Sequence, residues 1–92
     1  MDITGFRDYL HRNKKSERNL GYVQAFEDYV RTERSKSHLK DATQEDIQAY
    51  YHWKVQQPGK QRLSMSFWGI FLYYDFLGLS DLSQAADRIV LD

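Results

Sequence analysis

The chain has no cysteine, a single proline at Pro58 and only five glycines in 92 residues. The missing cysteine excludes a disulfide framework and any thiolate metal site, and leaves the chain compatible with a reducing compartment. So little proline and glycine argues against an all-β or disordered chain. No apolar run approaches the roughly 18 residues of a membrane span, and no apolar segment follows Met1 in the manner of a signal peptide. A soluble, cytoplasmic protein without membrane contact is expected. Excess charge is missing too, since 13 Lys/Arg balance 13 Asp/Glu. Neutrality speaks against strong autonomous nucleic-acid binding, where phosphate neutralisation usually supplies most of the affinity.

What the chain has in quantity is rings: seven Tyr, five Phe and two Trp. A chain this short buries only a little over about 60% of its unfolded surface, enough for one modest core. Each large ring buries about 150–250 Å², so a few of them supply much of that core. A single domain over residues 1–92 is expected, with no linker, repeat or low-complexity tract.

Every segment with a clear period is helical. Phe6, Tyr9 and Leu10 repeat at i, i+3, i+4 and predict a first helix over 3–12, capped by Asp2 or Thr4. Ser16 is a good cap for a second helix over about 17–34, whose stripe is Leu20, Val23, Phe26 and Val30. Gly21 weakens it by about 1 kcal/mol unless a close approach needs the missing side chain. Thr43 and Asp46 form a capping-box pattern for a third helix, with Ile47, Tyr50, Tyr51 and Val55 as its buried face and Pro58-Gly59 as its stop. Ser64 or Ser66 caps a fourth helix that is apolar nearly all round from Phe67 to Leu77, the mark of a central helix. Gly78 ends it. Ser80 caps a fifth, with Leu82, Ala85, Ala86, Ile89 and Val90 facing inward.

Catalytic and metal chemistry find little support. His11, His38 and His52 fall on three separate segments and form no i, i+4 pair. Ser64 and Ser66 suit capping better than nucleophilic attack, having no evident base beside them. No glycine-rich phosphate loop is present. Neither a cofactor, a metal site nor a small-molecule substrate is expected, and the chain alone does not read as an enzyme.

The charge is segregated rather than absent. Residues 1–40 carry nine Lys/Arg against six Asp/Glu, while residues 63–92 carry one against four. Arg12, Lys14, Lys15 and Arg18 place four cations across the loop into the second helix, and Lys60 and Arg62 precede the fourth. A helix start with free N–H groups, a serine and nearby Lys/Arg suits phosphate. The plainer reading is that loops are polar and lysines keep proteins soluble. The rings from Phe67 to Phe76 read as core rather than a base-stacking platform, with Trp68 or Tyr73, and elsewhere Trp53 and Tyr50, as surplus rings for an exposed patch.

Four pieces then line up in order: Phe6 to Leu10 as a Phe-x-x-Tyr-Leu helix, a serine-opened helix ending Phe26-Glu27-Asp28-Tyr29-Val30, a Leu-x-x-x-Thr-x-x-Asp-Ile start at Leu39 to Ile47, and a basic, serine-rich loop before an aromatic helix ending Tyr73-Tyr74-Asp75-Phe76-Leu77. Over roughly residues 3–90 this resembles the SAM-like core-binding domain of tyrosine recombinases, the phage integrases. The resemblance implies an all-α bundle of four to five short helices. It also implies a non-catalytic DNA-binding module that grips duplex backbone weakly through the starts of its second and fourth helices. By position it points to Lys15, Ser16, Arg18 and Asn19, and to Lys60, Arg62, Ser64 and Ser66, to which the basic cluster adds Lys14. The chain departs from that family in three ways. It has no room for the catalytic domain, it has Leu72 and aromatic neighbours where an arginine is common, and it has Gly78-Leu79-Ser80-Asp81 in place of Asn-Pro. A protein-interaction or self-association module on the same fold is the alternative.

Overall fold

The computed structural model describes residues 1–59 and 62–91, and of residues 90 and 91 the backbone alone. Among the described residues five α-helices follow one another: α1 (Ile3–Arg12), α2 (Arg18–Glu33), α3 (Gln44–Val55), α4 (Leu63–Leu77) and α5 (Ser80–Leu91), with a 3₁₀ turn at Leu39–Asp41. No strand occurs among the described residues. The expected all-α bundle of four to five short helices is what the described residues form, with five.

Local chemistry sets three of the boundaries. The Asp2 carboxylate accepts the Gly5 N–H at 3.0 Å and opens α1. At α3 the capping box closes in both directions: the Asp46 N–H donates to Thr43 Oγ1 at 3.2 Å, and the Thr43 N–H donates to Asp46 Oδ2 at 2.8 Å. Gly78 closes α4 at φ 76°, a left-handed conformation that glycine adopts without strain, and the Leu79 N–H then reaches the Tyr74 carbonyl at 2.9 Å.

Helix α4 is central, and each of the other four packs against it. Phe6 of α1 meets Tyr73 edge-on at 5.1 Å between ring centroids, and Tyr50 of α3 lies 5.1 Å from Phe26 of α2 and 5.6 Å from Phe67 of α4. Polar handles at the ring edges add direction. The Tyr9 hydroxyl donates to Asp75 at 2.6 Å, and the buried Tyr74 hydroxyl donates to the Leu39 carbonyl at 2.7 Å. Burial, together with the Asp75 carboxylate, pushes the Tyr9 phenol up to about 12.

Several sequence-based details change. Val55 is 44% exposed rather than buried, because at 3.6 residues per turn it stands about 140° round the helix from Tyr50. Tyr50 and Tyr73 are buried, so the exposed rings are Trp53 and Trp68. Leu82, Ala85 and Ala86 face inward with Ile89 against them, while the side chain of Val90 lies outside the described residues. Gly21 is exposed, with open space where a Cβ would stand. Gly21→Ala should therefore gain about 1 kcal/mol from helix propensity alone, read as a higher urea midpoint with an unchanged denaturant slope.

Candidate functional site

The link from α1 to α2 is built to hold a basic turn in place. The Asn13 side-chain amide donates to the Tyr9 carbonyl at 2.8 Å, and the Lys15 N–H reaches the Leu10 carbonyl at 2.8 Å. Lys14 sits between them at φ 57°, a left-handed position that glycine or asparagine normally takes after a helix. Holding a lysine there costs about 1 kcal/mol or more, and it fixes the direction in which the next cations leave the loop.

Ser16 does not cap α2 from the residue directly before it; Glu17 holds that place and makes no capping bond. Ser16 acts one residue earlier. Its Oγ accepts the Arg18 N–H at 3.1 Å, and its carbonyl accepts the Asn19 side-chain amide at 2.9 Å. Asn19 is 7% exposed. Ser16 and Asn19 therefore pin the turn, and the cations around them provide its charge.

Helix α4 begins two residues earlier than a Ser64 cap implies and one turn earlier than a Ser66 cap does. Its cap position is Arg62, which makes no side-chain capping bond, and both Ser64 and Ser66 lie inside the helix. Ser64 is exposed, but Ser66 is 3% exposed and leaves the set of surface contacts. The N–H groups of Leu63, Ser64 and Met65 have no hydrogen-bond partner among the described residues. Lys60 lies outside the described residues.

The two helix starts, more than forty residues apart in sequence, meet in one groove of about 480 Å³. Lys14, Lys15, Ser16, Arg18, Asn19 and Tyr22 line it from α2 and the turn before it, and Ser64, Met65 and Trp68 line it from α4. Six of the nine residues picked from sequence thus converge. Arg62 stands next to them, its guanidinium 3.9 Å from the Met65 sulfur, which the Tyr22 hydroxyl approaches at 3.8 Å from the α2 side. Met65 carries neither charge nor a capping signal in the sequence; in the structure it stands one turn before Trp68 on the same face of α4.

Arg12, Lys14, Lys15 and Arg18 make no ion pair with a carboxylate among the described residues. The nearby acid, Glu17, is engaged elsewhere, by Arg7 at 3.0 Å and His11 at 3.3 Å on α1. The Lys15 ammonium stands 5.9 Å from the Trp68 ring centroid. None of the groove's lining residues is a carboxylate or an imidazole, and no cluster of His, Cys, Asp and Glu fit for a metal occurs among the described residues. The groove offers positive charge, N–H and hydroxyl donors, and an aromatic face. No family model matches the chain, and no curated protein or solved structure matches it either.

Proposed function

We propose that the chain is a non-catalytic DNA-binding module that holds duplex backbone phosphates at the groove between the starts of α2 and α4. One observation carries this reading. The basic start of α2 shares a groove with the start of α4, and Lys14, Lys15 and Arg18, which line it, are free of ion pairs within the described residues. Unpaired cations keep their full field for an incoming polyanion. The uncapped N–H groups at the start of α4 add donors of the kind that phosphate oxygens accept. The resemblance to an integrase core-binding domain points to the same two helix starts.

Contacts to phosphate make binding weak and steeply dependent on salt. Four phosphate contacts give a log–log slope of about −3.6, a loss of roughly a hundredfold between 50 and 200 mM salt. Anisotropy titration with a labelled duplex measures this directly. Lys15→Glu/Arg18→Glu should weaken binding at low salt and flatten the slope by about 2. Absence of duplex binding at low salt would sink the proposal.

A protein-interaction module remains the second reading, favoured by the exposed Met65 and Trp68 in the groove, apolar surface that phosphate does not use. Concentration-dependent sedimentation abolished by Trp68→Ala, with no DNA binding, is its signature.

A further inference from the structure

Trp68 is the ring that the duplex-backbone reading leaves unused. The other rings of the α4 run are buried or half-buried, whereas Trp68 is 37% exposed and lines the groove. Phe71, one turn on, stacks on it with centroids 4.9 Å apart and planes 21° from parallel. The indole is thus backed by a second ring, and its remaining surface borders the cations. The Lys15 ammonium stands over the ring 5.9 Å from its centroid, close enough to attract.

We infer that the groove takes one unpaired base against Trp68 while Lys14, Lys15 and Arg18 hold the flanking phosphates, so that the preferred ligand is DNA with an unstacked nucleotide. The inference rests on the groove being a nucleic-acid site and names what that site selects. A base inside intact duplex has both faces covered by its neighbours and cannot reach the indole without unstacking, whereas a bulged or single-stranded base offers a free face. The groove's volume of about 480 Å³ falls within the roughly 300–1,000 Å³ of small-ligand pockets, ample for a base as well as its phosphate. An exposed lysine–indole contact is weaker than base–indole stacking, so Lys15 can leave the ring for the phosphate as the base arrives.

Three fluorescein-labelled probes of one sequence test this: intact duplex, the same duplex with one unpaired thymidine, and the single strand. Wild-type protein should bind the unpaired-base duplex about tenfold more tightly than the intact one. Trp68→Ala should remove that preference and leave salt-sensitive duplex binding in place, and Trp68→Phe should keep part of it. In a Trp53→Phe background the remaining indole fluorescence should be quenched by the single strand, a readout that does not depend on the alanine variant folding. Equal binding of intact and unpaired duplex, or a preference that survives Trp68→Ala, overturns the stacking inference and leaves the duplex reading standing. No binding of any probe at low salt overturns both.

Discussion

Replacing Asp46 by alanine is expected to lower the unfolding free energy by about 2–4 kcal/mol, measured by urea denaturation at neutral pH. Asp46 is 1% exposed, and every part of its carboxylate is used. Oδ1 accepts from Arg34 Nε at 2.7 Å, Oδ2 accepts the Thr43 N–H at 2.8 Å, and the Lys36 ammonium lies 3.7 Å from Oδ2. The side chain joins three things: the exit of α2, the loop after it, and the first turn of α3. Alanine removes the ion pair, strips the Thr43 N–H of its acceptor and undoes half of the capping box. Both cations keep about a third of their surface in water and can turn outward, which holds the cost below that of a fully enclosed pair.

The same cluster contributes to the acid limb of the stability curve, beside Glu27, which, against burial, its hydrogen bond to the N-terminal amine also holds below the ordinary value. Burial pushes the Asp46 carboxyl up, but the Arg34 and Thr43 hydrogen bonds and the Lys36 charge outweigh it and hold the group below its ordinary value. A carboxyl depressed on folding contributes its stability in full above the unfolded pKa, about 3.9 for aspartate. It loses that contribution as pH falls through the lower folded value. Wild-type protein should therefore lose melting temperature below about pH 4, and Asp46→Ala should show a shallower loss over the same interval. An equally steep fall in the variant would assign the acid limb to other carboxylates.

The sequence made Asp46 legible as a cap and concealed it as an ion-pair hub. Capping reads from a spacing of three residues, whereas Arg34 and Lys36 reach it across a loop that no local pattern describes. The helices themselves were legible for the same local reasons: Asp2, the Thr43–Asp46 pair and Gly78 each solve a terminus with residues in the immediate neighbourhood. Where local chemistry is ambiguous, the reading slipped. A serine fits a cap or a first turn equally well, so the pattern of Ser64 and Ser66 does not reveal that α4 starts at Leu63 and buries Ser66. The left-handed residue after α1 is Lys14, not glycine, and gave no punctuation signal. In the candidate site the charges were visible, but their convergence was not, because it depends on how closely α2 and α4 pack.

That spacing is controlled by Gly69, and Gly69→Leu is expected to cost about 3 kcal/mol and to disturb the groove as well. Gly69 lies on the face of α4 opposed to α2. A Cβ added there would stand 3.0 Å from the Asn19 Oδ1 and 3.2 Å from the Tyr22 Cβ. Both neighbours are constrained, Asn19 by its bond to the Ser16 carbonyl and Tyr22 by its own helix backbone. Any glycine replaced in a helix interior gains about 1 kcal/mol of propensity. At the open Gly21 that gain is realised; at Gly69 overpacking exceeds it once the side chain has branches to place. The two helices must then separate, and the residues that give way first, Asn19 and Tyr22, both line the groove. If the groove holds DNA as proposed, Gly69→Leu should lose that binding at temperatures where it is still folded, while Gly21→Ala keeps it. Retained affinity in a folded, destabilised Gly69→Leu protein would show that the groove does not depend on the α2–α4 spacing, and would leave the loop cations alone as the source of binding.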